Sequence, residues 1–578
     1  MLDTARVQAP VSALPRIVEQ SARNRWRDRF APGLAVLAGM AAISAHAALY
    51  GRWIVDDAAI TFSYARSVSE GMGPVLQPGA TPVEGYSDPT WMVLLALGRL
   101  AGAFDHGLLL GIPDYVLFPK ALGLVFVAGI LLACHHAAAQ VCARFAALVT
   151  LAIGLGLAAI PSFVIWCVSG LENGLFAFLV VWLAVLLWVA VLRSEVLRIR
   201  VALLAGLLVA LAALTRPEGL IYGAAYPLVV LLALRRGALR AALRPVGLFL
   251  AAFGIPFGGY ETWRVVEFGS LLATPSIAKS QGLPTVASLT RPIGLVHYVG
   301  IGAVVVAALL VGFALYRAPW RRALTALLVP LALAVIAYGV LMPDWMTEFR
   351  FATPVWPLAM LATVLSAAEF LRRSSKLRGA VLLLVVLSSG VPTGAGFLAD
   401  AQQFQHTPTL PACTVADLFG RGFNSYADIL GIKHGSLLLP DLGGTAMTSR
   451  LRLVDMAGLT QPHIAELIKT HNAIGLRDYV FNTIKPTFIH SWGPWAAGNG
   501  ITSDPRLARD YVPIIIYPHE SPPNGAWVRR DAVPNATALR AVRHFAAATM
   551  MPIAQRLLAH PLGDCGSRMR PGQPLRPG

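Results

Sequence analysis

Two adjacent aspartates, Asp56 and Asp57, open the stretch "DDAAITFSYARSVSEG" directly after the first long apolar run of the chain. Charge beside hydrocarbon is costly and needs a reason. A helix N-cap, with Gly71 ending the helix, accounts for one of the two carboxylates. Neighbouring helical side chains point about 100° apart, so the second can face a cavity. A partly shielded carboxylate tuned by a neighbouring charge suits a general base.

Other polar residues with chemical potential are few and fall in short runs. "PVEGYSDPTW" carries Glu84 and Tyr86, a carboxylate and a ring of the kind that line sugar sites and ordinary loops alike; its Asp88-Pro89 pair can start a helix. "SGLENGLFAF" puts Glu172 at a helix start, where an acid suits the dipole. "ALTRPEGLIYG" carries Arg216 and Glu218, either an ion pair locking a turn or an arginine for a lipid-linked phosphate. Lys279 in "LLATPSIAKSQG" suits a phosphate or the lipid surface. "MPDWMTEFRFATPVWP" supplies Asp344 and Arg350, with Trp345 and Trp356 fitting an aromatic belt. There is no Walker A, HExxH, GxSxG or dinucleotide fingerprint. The five cysteines have no metal-like spacing; Cys413 and Cys565 can pair if both lie outside the cytosol. An acidic pair can take a divalent cation, but nothing in the sequence requires a metal or any other cofactor.

The elements that position these residues are mostly membrane helices. Of the 578 residues, 56% are hydrophobic and 13% charged, and the mean hydropathy is +0.63. The net charge of +17 comes from arginines at the ends of apolar runs, which fits the positive-inside rule and not a nucleic-acid-binding surface. Arg6, Arg16, Arg23, Arg25, Arg27 and Arg29 precede the first run and place residues 1–30 in the cytoplasm, with the following run a retained anchor. Clusters at Arg193/Arg198/Arg200, Arg235/Arg236/Arg240/Arg244, Arg317/Arg321/Arg322 and Arg372/Arg373/Lys376/Arg378 are assigned to the same side. Spans near 31–50, 117–134, 145–161, 172–192, 201–215, 220–234, 245–260, 294–316, 323–342, 353–371 and 379–398 satisfy that parity, about eleven helices in a membrane domain of 31–398. The run 89–104 is short and breaks the parity, so it is read as an interfacial or re-entrant helix in a first outer loop of 51–116. The spans flanking Arg216 reach roughly 22 Å, less than the ~30 Å of hydrocarbon, so that turn sits below the outer surface.

Composition shifts after Asp400. "GSLLLPDLGGTA", "RLRLVDMAG", "KPTFIHSW" and "DYVPIIIYP" read as strands, "QPHIAELIKTH" as a helix and "SDPRLARDYV" as a helical turn before a strand. They form an α/β outer domain of 399–545, followed by a Pro/Gly/Arg-rich tail, 546–578, expected to be disordered. With the polar motifs on one face, the site belongs outside the cytosol, where a substrate must arrive already activated in the membrane. A sugar on a polyprenyl phosphate meets that need.

In this order the motifs "DDAAITFSYARSVSEGMGPVLQPGATPVEGYSDPTW", "VSGLENGLFAFL", "ALTRPEGL", "PDWMTEFRFATPVWPL", "LVDMAGLTQPHIA", "KPTFIHSWG" and "DPRLARDYVPI" resemble the bacterial GT-C membrane glycosyltransferases. The resemblance runs from about residue 50 to 517 and is to the branch containing the mycobacterial terminal β-(1→2)-arabinofuranosyltransferase. It implies a helical polytopic fold in a bacterial inner membrane, a polyprenyl-phosphate sugar donor such as arabinofuranose, and a cell-envelope glycan acceptor on the periplasmic face. It also implies an acidic motif in the first outer loop as the base, Asp56 with Asp57 orienting. Arg216, Lys279 and Arg350 then meet the donor phosphate, and Glu84, Tyr86, Glu172, Glu218 and Asp344 line the substrate. "GSLLATPSIAKSQG" departs from the Asn-rich run of the family and keeps only Lys279; "MPDW" replaces a "GGDW"-like run. A transporter of a lipid or envelope precursor, or a non-catalytic envelope scaffold, is the alternative; a transporter would carry its charges at the midplane rather than on one face.

Overall fold

A computed structural model describes residues 14–234, 239–280, 284–517 and 521–575. Arg6, Arg235, Arg236 and the last three residues of the tail lie outside the described residues. Each of the eleven apolar segments is helical. The helices are Leu14–Ala48, Asp114–Cys142, Ala146–Ala159, Asn173–Leu192, Ile199–Thr215, Ala225–Ala233, Leu239–Phe268, Ile301–Arg317, Arg321–Val340, Val355–Arg373 and Lys376–His406. Among the described residues, seven helical stretches are long and apolar enough to cross a membrane; counting the pair Pro292–Val299 and Ile301–Arg317, bent by 101°, gives eight. Length and composition alone thus reach seven or eight of the expected eleven: Ile199–Thr215 and Pro217–Ala233 are short, and Asp114–Ala159 counts as one stretch although it holds two helices, Asp114–Cys142 and Ala146–Ala159, that pack on each other.

Close helix approach depends on small residues. Leu14–Ala48 packs on Ala146–Ala159, and a Cβ on Gly154 would lie 2.8 Å from the Gly39 Cα. Lys376–His406 leaves most of its apolar surface outward, as a peripheral helix facing lipid does.

Residues 49–113 form a structured loop with two helices, Asp56–Ser69 and Pro89–Leu100. The second buries Trp91, Met92, Leu95 and Ala96 and exposes Val93, Leu97 and Leu100. That apolar stripe at positions i, i+4 and i+7 fits the expected interfacial helix.

The α/β domain follows the helix that ends at His406, eight residues beyond the predicted span. Its five-stranded sheet runs in the order 452–455, 436–439, 488–491, 524–529, 511–517. The first three strands are parallel and the last two antiparallel to their neighbours. Leu438, Val454, Ile464, Ile489 and Trp527 fill one face of this sheet. Four strands were legible as short apolar runs; the fifth, Asn524–Arg529, was not, because it opens on Asn-Gly.

The tail corrects an expectation. Residues 546–575 are ordered: Met551–Ala559 is helical, and Cys565 and Met569 are fully buried. Cys565 is disulfide-bonded to Cys413 across 152 residues. Buried arginines donate to the tail's carbonyls, Arg66 to Met569 at 2.6 Å and Arg421 to Cys565 at 3.1 Å. Polar, Pro-rich chain becomes ordered here because remote donors satisfy its backbone.

Candidate functional site

The helix Asp56–Ser69 begins where the backbone of 54–56 pairs with the stretch just after the last membrane helix. Asp56 N–H donates to the Leu410 carbonyl at 2.9 Å, and Ala412 N–H donates to Ile54 at 2.9 Å. This pairing fixes the direction of the two aspartates. The Asp56 carboxylate is buried and accepts the N–H groups of Gly443 at 3.0 Å and Gly444 at 2.7 Å, at the start of Gly443–Thr448 in the α/β domain. Burial pushes its pKa well up, against the pull of those two N–H groups. Asp56 thus closes a joint between the loop 49–113 and the α/β domain. A Cβ on Gly443 would stand 1.8 Å from the Asp56 carbonyl oxygen, so only glycine permits the contact.

Asp57 faces the other way. From Trp53 to Ser67 it is the one residue that is only half-buried. Its pKa is also raised, chiefly by burial of the carboxylate, and Lys279 and then Arg350 oppose that shift while Asp344 and Glu172 add to it. One carboxylate is therefore spent on a joint and the other looks into a charged cluster.

That cluster is assembled from helix ends. Arg216 leaves Ile199–Thr215 in extended conformation and pairs with both Glu172 and Glu218; all three side chains are less than a tenth exposed. Arg350 pairs with Asp344 at 2.7 Å. The Phe351 ring lies against both guanidinium groups, 4.9 Å from each Cζ. The turn into Arg350 carries two residues in the left-handed region, Glu348 at φ +60° and Phe349 at φ +50°. Such residues cost about 1–3 kcal/mol each and cluster at functional sites. The turn is held from outside: the Glu348 carbonyl accepts Ser162 Oγ at 2.8 Å and Trp166 Nε1 at 2.7 Å. Asn173, next to Glu172, donates to the Arg350 carbonyl at 3.2 Å.

Lys279 differs from the arginines: it is exposed and makes no ion pair among the described residues. It follows the short helix Thr274–Ala278. An exposed ammonium with no carboxylate partner is the cation most available to an incoming anion, whereas Arg216 and Arg350 already answer three acids.

Asp57, Glu172, Glu218, Asp344, Arg216, Arg350 and Lys279 come together. Glu84 and Tyr86 have other work. The Glu84 carboxylate accepts Tyr260 Oη at 2.6 Å and Arg264 Nε at 2.5 Å, tying the loop to Leu239–Phe268. Tyr86 stacks edge-on against Tyr64, 5.0 Å between centroids. Two acids escaped notice in the sequence. Asp88 starts the helix Pro89–Leu100 as expected, but its side chain makes no capping bond; it accepts Thr61 Oγ1 at 3.1 Å and is pushed well up by burial and by Glu172. Asp441 interacts with Asp57 from the α/β domain, and burial, offset by the indole N–H of Trp492, holds it at about 6. The "PDLGG" spacing around Asp441, a turn after a strand, was the signal available for it. Among the described residues no three His, Cys, Asp or Glu side chains gather to hold a metal ion.

No family model and no curated protein matches the chain. Solved structures resemble it at low identity. The oligosaccharyltransferase AglB from Archaeoglobus fulgidus, in complex with an inhibitory peptide and a dolichol-phosphate, is 12% identical with a TM-score of 0.48, covering 81% of this chain and 69% of its own. The same archaeal enzyme in complex with Zn and sulfate gives 12% and 0.49, covering 88% and 74%. ArnT from Cupriavidus metallidurans bound to undecaprenyl phosphate gives 13% and 0.45, covering 78% and 79%. At these identities and scores the likenesses assign no chemistry to the present chain, and the site rests on its own residues.

Proposed function

We propose that the chain is a membrane glycosyltransferase that moves a sugar from a polyprenyl-phosphate donor to a cell-envelope glycan, with Asp57 as the base. The observation that carries this reading is the division of labour in the pair: Asp56 is held by two N–H groups, and Asp57 is left open toward Lys279 and Arg350. Asp57 accepts the proton of the acceptor hydroxyl as its oxygen attacks the anomeric carbon. The bond from that carbon to the phosphate oxygen breaks, and the polyprenyl phosphate leaves with the electron pair. Lys279 meets the new charge first, with Arg350 and Arg216 behind it. Displacement in one step inverts the anomeric centre. The base assignment moves from Asp56 to its neighbour because a buried carboxylate with a backbone donor on each oxygen is poorly placed to take a proton from substrate.

The charged cluster sits at helix ends on the side of the α/β domain, which supports a site outside the cytosol. The shared motifs of the arabinofuranosyltransferase branch favour arabinofuranose as the sugar and the periplasmic face of a bacterial inner membrane as the setting. The protein purified in lipid nanodiscs, given polyprenyl-phosphoryl arabinofuranose and a synthetic oligo-arabinofuranoside, is expected to yield an extended glycan of inverted anomeric configuration by NMR. Absence of transfer from every polyprenyl-phosphate sugar offered would sink the enzyme reading, and retention would sink the single displacement.

A further inference from the structure

Resting on the reading above, we infer that the acceptor glycan lies in the crevice between strands 436–439 and 488–491 of the outer domain, with Trp492 and Trp495 as its stacking platform and Asp441 as its polar contact. The topology points there first. The chain passes from 436–439 to 452–455 on one side, then returns to place 488–491 on the other side of 436–439. The loops leaving the carboxyl ends of 436–439 and 488–491 therefore diverge. In open α/β sheets that divergence leaves a crevice outside the strand ends, the usual place for a ligand.

The residues on those two loops fit a sugar. Asp441 follows one strand and Trp492 the other, and the Trp492 indole Nε1 donates to Asp441 Oδ2 at 2.6 Å across the gap. Trp492 and Trp495 are 36% and 37% exposed, although the indole of Trp527 in the same sheet is buried. Large rings left half open at a crevice present an apolar face with a polar edge, which matches the C–H face and hydroxyl rim of a glycan. Position completes the case. Asp441 lies in the same turn as Gly443 and Gly444, which grip Asp56, and its charge is felt by Asp57.

The test uses full-length protein in nanodiscs and an octyl tetra-arabinofuranoside as probe, titrated by calorimetry. Trp492→Ala and Trp495→Ala are each expected to weaken binding at least tenfold, with polyprenyl monophosphate binding unchanged. Trp492→Phe, which keeps a ring and loses the N–H, is expected to recover part of the affinity. Asp57→Asn is expected to keep probe binding while losing transfer, which separates this subsite from the catalytic reading. Wild-type affinity in both alanine variants, or no saturable binding of the probe by the wild type, overturns the subsite. So does a selective loss of polyprenyl phosphate binding, which would make the indoles lipid anchors. Should Trp492→Ala unfold the domain, Trp495→Ala carries the same decision alone.

Discussion

At the scale of single residues, two neighbouring aspartates meet different fates. Both stand in the first turn of one helix, and nothing within ten residues distinguishes them. The deciding contacts come from Gly443 and Gly444, 387 and 388 residues away, so the sequence exposed the pair and left its roles open. Arg216, Glu172 and Arg350 were legible as polar residues at apolar boundaries; Asp88 was not, because Asp before Pro is an ordinary helix start. The electrostatics of Asp57 give a signed prediction. Its activity as a base requires the charged form, so transfer falls as pH falls through its raised pKa. Lys279 and Arg350 hold that pKa down, while Asp344 and Glu172 lift it. Lys279→Met should therefore move the acidic limb of the pH–rate profile to higher pH, and Asp344→Asn should move it lower. Profiles of kcat/KM for the three proteins check both signs, and a shift of either variant in the opposite direction contradicts the placement of Asp57.

Among elements, the joint between the helix Asp56–Ser69 and the short helix Gly443–Thr448 matters most. A hydrogen bond contributes about 0.5–1.5 kcal/mol net, and here two of them hold the α/β domain against the loop that carries Asp57. Gly443→Ala forces a methyl into the Asp56 carbonyl. Overpacking of this kind costs about 1–3 kcal/mol, and the variant should lose stability of that size and at least tenfold in transfer. Denaturant unfolding and initial rates measure the two together; unchanged values in both would show that the joint does not matter. Secondary structure was well legible where hydrophobic period and length agree, as in the long helices and in 436–439, 452–455 and 488–491. It failed at Asn524–Arg529, whose strand character comes from neighbours on both sides rather than from its own composition. Glu84 shows the same limit in reverse: it has no local role, and its partners Tyr260 and Arg264 lie on a distant helix.

For the whole molecule, Arg216 and Arg350 come from the ends of the membrane helices, Asp57 from the loop 49–113, and the α/β domain closes the joint on Asp56. The tail fastens this assembly, contrary to its composition. Cys565 is tied to Cys413, two residues beyond the Pro411 bridge to Val55 that aims the aspartates. Closing a loop of that length stabilises by about 4–5 kcal/mol in the chain-entropy model. Reduction, or the double change Cys413→Ser with Cys565→Ser, should lower the unfolding midpoint and reduce transfer with it; a variant of wild-type stability and rate would remove the tail from the account. The composition of the tail could not announce this order, since its partners Arg66 and Arg421 are remote in sequence. The most direct test of the central claim compares single-turnover transfer by Asp57→Asn and Asp56→Asn in nanodiscs. Loss of a positioned general base costs about 10²–10⁴-fold, so Asp57→Asn should fall by that much while Asp56→Asn, folded but loosened at the joint, should fall only about tenfold, as Gly443→Ala does. Full transfer by Asp57→Asn, with Asp56→Asn inactive and folded, would contradict it.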